Sequence, residues 1–229
     1  MSTDISLGWT KEGTSGIVLD ANDQMLLSRG VCAVTGGYYF PNLAGASWVF
    51  AGSSAVSASY TATGGVFGKG ITAAGTFNPG SIAGVNIPAN SDFTLRGWFN
   101  ATSATLFFDL QNILATGTNK CIGMILTPEG SLYVILHPTT STTGTTLISV
   151  SIGTGFHYIS LIKSGMVLSL YVDGVLKGSY TLPSLTAAAI PVKLINSFYG
   201  GGTNIQFADM QQSKVARDGS FIPGNLFGY

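Results

Sequence analysis

Charged residues are scarce in this chain, and neither sign predominates. Ten basic and ten acidic residues cancel, and charged residues make up only 9% of the sequence, against about 25% in an average domain. The chain therefore lacks the basic excess on which nucleic-acid binding and adsorption to anionic lipid depend, and we predict no nucleic-acid partner. Either Ser and Thr hydroxyls keep such a surface soluble or neighbouring subunits cover it, and we favour cover by subunits.

Cysteine and histidine are also scarce, with two of each. Cys32, Cys121, His137 and His157 do not show the paired spacing of zinc ligands, so we predict no metal site. We interpret both cysteines as reduced, buried and small hydrophobic residues. No uninterrupted apolar run is long enough to cross a bilayer, which predicts no membrane insertion. The N-terminus lacks the basic and apolar regions of a signal peptide.

Glycine is abundant, with 31 residues, and short apolar segments alternate with clusters of Gly, Ser, Thr and Asn. This pattern predicts many short strands. In Phe156–Leu182, the segment Val167–Val172 alternates on one face, and Asp173-Gly174 supplies the two residues that accept positive φ in a type I′ hairpin turn. Pro128-Glu129-Gly130 marks a second hairpin. Antiparallel strands with one half-polar face build sandwiches rather than parallel α/β sheets.

Helix is nearly absent from the prediction. Ser184–Ile190 and a turn near Asp20–Leu26 are the best candidates for a short helical segment. The stretch Ala51–Gly80, with few large apolar residues, is either a long loop or a flat edge strand.

Three segments in the same order resemble the laminin-G-like, concanavalin A-like jelly rolls. Asp92–Phe99 is similar to that family's "dFTi.aWf" strand, His157–Gly174 to its hairpin, and Ile205–Arg217 to its closing strand. Met210 and Gln211 depart from the family, which commonly has an acidic residue there. The resemblance implies an all-β, two-sheet antiparallel jelly-roll sandwich of the concanavalin A-like lectin/glucanase fold, and implies that Trp98 is buried in the core.

The resemblance covers roughly residues 66–229, which we predict to form the laminin-G-like jelly-roll domain. Residues 1–65 match no family, and we interpret them as an N-terminal arm or as added strands docked on the sandwich.

Some enzymes of this fold hydrolyse glycosidic bonds with two carboxylates from an E-x-D-x-x-E strand. That motif is absent here, where Glu12 and Glu129 are the only glutamates, so we predict no enzyme. Asp109 is the one strand carboxylate that could face the concave side of a sheet. Some members bind calcium, and Asp20–Asp23 is the densest acidic cluster, but a turn or helix cap explains it better. We predict no cofactor.

A carbohydrate site would combine exposed aromatic rings with polar groups in loops. The candidate ligand-binding residues are Tyr38, Tyr39, Tyr199 and Asn204. Core packing combined with a subunit contact is the alternative explanation for these aromatic residues.

Two hypotheses of function follow. In the first, the chain is a non-enzymatic virion protein of a bacteriophage, namely a capsid decoration protein or a tail or baseplate component. Its location would be the virion, and its partners would be copies of itself and other virion proteins. In the alternative, the chain is a lectin-like adhesin that recognises a glycan on the host surface.

Overall fold

The computed structural model describes residues 21–27, 32–34, 37–41, 47–49, 57–61, 70–74, 86–138, 143–196 and 204–223. Within these ranges the chain forms sixteen strands and no helix. The strands are β1 Asp23–Leu27, β2 Cys32–Val34, β3 Gly37–Pro41, β4 Ser47–Val49, β5 Ser57–Thr61, β6 Gly70–Ala74, β7 Phe93–Ala101, β8 Thr105–Leu110, β9 Cys121–Leu126, β10 Ser131–His137, β11 Thr145–Ser151, β12 His157–Ser164, β13 Val167–Val172, β14 Val175–Thr181, β15 Val192–Asn196 and β16 Asn204–Ser213.

Two antiparallel sheets form the body of the protein. The large sheet has eight strands, with the order β14-β13-β12-β7-β16-β6-β5, and β1 pairs with β16 beside this path. The small sheet has five strands, with the order β11-β10-β9-β8-β15. The strands β2, β3 and β4 form a separate three-stranded sheet. This arrangement confirms the prediction of an all-β antiparallel sandwich.

One continuous core lies between the two sheets. Phe99 of the large sheet contacts Phe107 and Phe108 of the small sheet, with ring centroids 4.6 and 5.4 Å apart. The core takes Leu95 and Leu170 from the large sheet and further residues such as Met124 and Val134 from the small one. Burial of apolar area on this scale is the main stabilising contribution to a β-sandwich.

The two hairpins predicted from turn residues are both present. Asp173 and Gly174 join β13 to β14 with φ angles of 50° and 74°, as a type I′ turn requires. Gly130, with φ 80°, ends the turn between β9 and β10. In both hairpins the local sequence determines the register, because the turn residues accept a left-handed backbone at little cost.

The helical candidates are wrong. Residues 184–189 are irregular, and Ile190 instead forms an isolated bridge with Ile87. The segment from Asp23 onward is strand β1, because its backbone pairs with Ser213 and the residues before it in β16. Tertiary pairing therefore overrides weak local preference. No helix in the described ranges is long and apolar enough to span a membrane.

Strands from the first 65 residues join the large sheet. β1 pairs with the C-terminal half of β16. β5 pairs with β6, which in turn pairs with the N-terminal half of β16. The boundary between residues 65 and 66 stays a prediction.

Candidate functional site

The central strand of the large sheet, β7, presents alternate side chains to its two faces. Leu95 and Phe99 enter the core, whereas Arg96, Trp98 and Asn100 point to the outer face. This alternation follows from the pleat of a strand, in which successive side chains lie on opposite sides. The outer face of the large sheet therefore gains a row of polar and aromatic groups.

Five side chains on the outer face form a largely buried hydrogen-bonded set that we name the outer-face network: Asp23, Arg96, Gln211, Ser213 and Arg217. Arg96 Nε donates to Gln211 Oε1 at 2.6 Å, and Gln211 Nε2 donates to Asp23 Oδ1 at 2.7 Å. Ser213 Oγ also donates to Asp23 Oδ1. Arg217 Nη2 reaches the same oxygen at 2.9 Å, and Arg217 Nε donates to Ser213 Oγ at 2.8 Å. The network links β1, β7 and β16 with the chain that follows β16.

The chain that follows β16, residues 214–223, crosses the outer face as a C-terminal strap. Thr94 Oγ1 donates to the Val215 carbonyl oxygen at 2.9 Å. The guanidinium of Arg96 lies 4.8 Å from the ring centroid of Phe221, in a cation–π contact. The strap thus excludes water from the network beneath it, which strengthens each of its charge-assisted hydrogen bonds.

Burial changes the proton affinity of two neighbouring groups on this face. It lowers the pKa of Arg96 below its ordinary value, while the nearby Tyr158 raises it. Burial also raises the pKa of the Tyr158 hydroxyl above 10.0, and Arg96 opposes that shift. Arginine remains charged and tyrosine remains neutral at physiological pH, so the face holds one fixed cation beside one neutral hydroxyl.

Beside the network lies a half-buried group that we name the outer-face aromatic patch: Trp98, Asn100, Tyr158 and Gln206. The ring of Trp98 lies 5.2 Å from the ring of Tyr158, tilted by 59°. Asn100 Nδ2 donates to Gln206 Oε1 at 2.8 Å. Trp98, Asn100 and Gln206 are partly exposed, whereas Tyr158, the register partner of Trp98 in β12, is buried. An aromatic ring held by a buried partner and flanked by two amides is a surface suited to a polar ring-shaped ligand.

The outer face of the small sheet carries a different group, the buried Asp–His–Cys cluster. Asp109, Cys121 and His137 are each at most 2% exposed. Their ligand-type atoms all lie within 4.8 Å of one another. His137 Nε2 lies 3.1 Å from Asp109 Oδ1. Gln111 Nε2 donates to the other carboxylate oxygen of Asp109.

The four candidate residues from the sequence do not converge on one described site. Tyr38 and Tyr39 lie in β3, where they pair with Ala33 and Cys32 of β2, and the structure describes them by backbone alone. Tyr199 lies outside the described residues. Asn204 begins β16, two positions before Gln206 of the aromatic patch. Their role in ligand binding stays a prediction.

One expectation about a single residue is wrong. Trp98 is not in the core: it lies on the opposite face of β7 from Phe99 and remains half-buried. Within the acidic cluster at residues 20–23, residues 21 and 22 form a turn, and Asp23 accepts hydrogen bonds from the outer-face network.

Asp109, the strand carboxylate singled out from the sequence, lies in β8 of the small sheet. A β-bulge between Leu106 and Phe108 breaks the alternation of β8, so Phe107 and Phe108 both enter the core. The bulge leaves Asp109 on the outer face of the small sheet, buried beside His137.

The sequence interpretation missed both described groups for one reason. The members of each group lie on neighbouring strands that are far apart in sequence, for example Asp109 with His137 and Asn100 with Gln206. A signal did exist for the patch, because Trp98 and Asn100 occupy positions of β7 that alternate with its core residues.

No family model matches the sequence, and no curated protein matches it. Solved structures do. The chain is similar to botulinum neurotoxin type C, whose cell entry depends on interaction with two ganglioside molecules, with a TM-score of 0.54, 11% identity, and coverage of 86% of this chain and 49% of that one. It is also similar to the binding domain of Paraclostridial Mosquitocidal Protein 1, with a TM-score of 0.53, 13% identity, and coverage of 87% and 50%.

A third similar structure is the binding domain of botulinum neurotoxin DC in complex with rat synaptotagmin II, with a TM-score of 0.54, 11% identity, and coverage of 86% and 49%. The chain spans about half the length of each of these three. At such low identity the likeness establishes the fold alone, which is that of a β-sandwich found in binding domains.

Proposed function

We propose that this chain is a carbohydrate-binding β-sandwich module that recognises a glycan on a cell surface and acts by binding alone. The observation that carries the proposal is the outer-face aromatic patch, in which the half-exposed ring of Trp98 lies beside an amide pair.

The hydrogen bond within the amide pair determines what the patch offers to a ligand. Because Asn100 Nδ2 donates to Gln206 Oε1, Asn100 Oδ1 is left as an acceptor and Gln206 Nε2 as a donor. Neighbouring hydroxyls of a sugar can donate to one and accept from the other. The apolar face of the same sugar can pack on Trp98, whose ring also contacts the ring of Tyr158.

The similar structures support a carbohydrate as the ligand. One of them is a neurotoxin whose cell entry depends on ganglioside molecules, and the others are binding domains. Since this chain matches only about half of each of these structures, a carbohydrate ligand is proposed for this chain by analogy with them. A virion location and a structural role in an assembly stay predictions from composition, and these toxin domains lend them no support.

The carboxylates of the described outer face favour binding over hydrolysis. Glycoside hydrolysis uses two carboxyl groups that flank the scissile bond. Here Asp23 accepts hydrogen bonds from Arg217 and Gln211, and Asp209 is fully buried. Neither of these two carboxylates is presented to a sugar on the surface, and Asp218 of the strap is the exposed one, which favours a binding role over catalysis by a carboxylate pair that includes Asp23 or Asp209.

The test is binding of the full chain to phosphatidylcholine vesicles with and without a brain ganglioside mixture, followed by a glycan array. We expect binding to the ganglioside vesicles. Trp98→Ala and Gln206→Ala should each weaken it at least about tenfold, since losing one good contact costs about 1.4 kcal/mol. Tyr133→Ala, a half-buried aromatic on the small sheet, is the matched control and should leave binding unchanged.

Two results would contradict the proposal. If the protein binds none of the glycans on the array, the proposed function is wrong. Loss of binding in Tyr39→Ala or Tyr199→Ala, with Trp98→Ala and Gln206→Ala unaffected, would keep the function but move the site to the tyrosines predicted from the sequence.

A further inference from the structure

The buried Asp–His–Cys cluster brings three different donor atoms together from three adjacent strands. Cys121 of β9 lies directly opposite His137 of β10, and Asp109 of β8 lies opposite Gly123 of β9. Asp109 therefore belongs to the next row of side chains and has to reach diagonally across β9 to meet His137.

Gly123 is what allows this reach. A Cβ at that position would lie 3.2 Å from His137 Nε2 and 2.5 Å from Leu106 Cδ1. The missing side chain leaves a passage over β9, and through it Asp109 Oδ1 approaches His137 Nε2 to 3.1 Å. The cluster thus depends on a residue that contributes no chemistry of its own.

The two ring nitrogens of His137 each face an atom that accepts hydrogen bonds. Nδ1 lies 2.8 Å from the carbonyl oxygen of Pro138, which can only accept. The proton of a neutral imidazole is therefore on Nδ1, and the lone pair of Nε2 faces the carboxylate of Asp109. A cation placed between these two buried atoms would interact favourably with both of them.

The other two groups of the cluster, Asp109 and Cys121, are also oriented by hydrogen bonds from residues outside it. Gln111 Nε2 donates to Asp109 Oδ2, which turns Oδ1 toward the histidine. The backbone N–H of Asn112 donates to Cys121 Sγ at 3.5 Å. Hydrogen bonds to ligating groups from their surroundings are one way in which proteins orient metal ligands.

We propose that Asp109, Cys121 and His137 bind one zinc-type divalent cation that stabilises the outer face of the small sheet. One sulfur, one imidazole nitrogen and one carboxylate oxygen are donors that suit zinc, whereas calcium and magnesium prefer oxygen alone. The separation of 3.1 Å between His137 Nε2 and Asp109 Oδ1 agrees with the roughly 3.3 Å expected for two ligands of a tetrahedral zinc.

Two other positive charges compete with the metal ion. A second proton on His137 would make a buried imidazolium–carboxylate pair. A lysine is the other kind of cation that could neutralise the carboxylate, and Lys193 is the register partner of Asp109 in β15. Neither alternative binds metal or requires the thiol of Cys121, and this separates them from the proposal.

The composition supplies matched controls, because the chain has only two cysteines and two histidines. The full-length protein and the variants Cys121→Ser, His137→Gln, Cys32→Ser and His157→Gln are incubated with zinc, passed through gel filtration and measured for zinc by mass spectrometry. We expect about one zinc per chain in the wild type, Cys32→Ser and His157→Gln, and at least about a tenfold weaker affinity in Cys121→Ser and His137→Gln.

Substitution by cobalt(II) gives a readout that a merely structural role would not change. The wild type and Cys32→Ser should show a thiolate-to-cobalt charge-transfer band, and Cys121→Ser should lack it. A chelator should lower the Tm of the wild type by several degrees and leave that of His137→Gln unchanged. If His137→Gln or Cys121→Ser does not fold, the zinc content, the cobalt band and the chelator effect on Tm are still measured on the wild type, Cys32→Ser and His157→Gln.

The proposal is overturned if the wild type retains less than about 0.1 zinc per chain, which is the outcome for an imidazolium pair or a lysine. It is also overturned if His157→Gln loses zinc as His137→Gln does, or if Cys121→Ser retains the charge-transfer band.

Discussion

The outer faces of the two sheets both bury polar side chains, but they balance charge differently. On the large sheet, each donor of Arg96 and Arg217 that the network uses meets an acceptor, and Asp23 supplies the negative charge. On the small sheet, the lone pair of His137 faces the carboxylate of Asp109. The charged groups of the network on the large face bond to groups of the chain itself, whereas the small face places a histidine beside a carboxylate, where we propose a bound cation.

This difference explains what each face is suited to do. A face whose buried charged groups already have hydrogen-bond partners can present the partly exposed groups next to it, Trp98 and Gln206, to a neutral sugar. A face on which ligand-type atoms converge is suited to hold an ion and to contribute stability. Under the two proposals, ligand recognition and stabilisation lie on opposite sides of one sandwich.

The largest expected effect comes from removing the acceptor at the centre of the large face. Asp23→Ala leaves three donors without their shared oxygen, from Gln211, Ser213 and Arg217. We expect the free energy of unfolding to fall by about 3–5 kcal/mol, as for one partner removed from a buried ion pair. Urea unfolding at neutral pH measures it.

Glu129→Ala removes an exposed carboxylate from the turn between β9 and β10, and it should change stability by less than about 0.5 kcal/mol. Equal effects of the two variants would mean that Asp23 is not what holds the large face together.

A smaller effect is expected from blocking the passage on the small face. In Gly123→Ala the new methyl would lie 2.5 Å from Leu106 Cδ1 and 3.2 Å from His137 Nε2. Overpacking of this kind costs about 1–3 kcal/mol. The measurement is urea unfolding in the presence of a chelator, so that any bound metal does not contribute.

Ser149→Ala, on the exposed side of β11 in the same sheet, is the control and should have nearly wild-type stability. A Gly123→Ala variant as stable as this control would show that the contact between Asp109 and His137 needs no open passage across β9.

The sequence predicted those parts of the molecule whose causes are local. The Asp173-Gly174 turn follows from two adjacent residues, and the core positions Leu168 and Leu170 follow from the alternation within Val167–Val172. The prediction that Trp98 lies in the core was wrong. It was taken from the family resemblance and ignored the alternation of β7, which places Trp98 on the opposite face from Phe99.

The two site groups were beyond the sequence because they depend on pairing between strands. Asp109 reaches His137 only through the bulge in β8 and the glycine in β9. Gln206 meets Asn100 only because β16 pairs with β7. Neither the register nor a bulge leaves a signal within the strand that carries the functional side chain.

The smallest expected effect tests whether every buried group on the large face is satisfied. The Tyr158 hydroxyl is buried and has no hydrogen-bond partner among the described residues, so Tyr158→Phe should stabilise the protein by about 1 kcal/mol at pH 7. Burial raises its pKa above 10.0. The unfolded state therefore releases the phenol proton first, and wild-type stability falls as pH rises above 10.0, by up to about 1.4 kcal/mol per pH unit.

The stability gap between Tyr158→Phe and the wild type should accordingly widen above pH 10.0, as measured by urea unfolding at a series of pH values. Ser160→Ala is the matched control, because its hydroxyl is also buried without a partner on the same face but does not titrate in this range. Its gap should be present at pH 7 and stay constant. A Tyr158→Phe variant less stable than the wild type at pH 7 would mean that this hydroxyl is satisfied, and that the large face is more completely bonded than the small one.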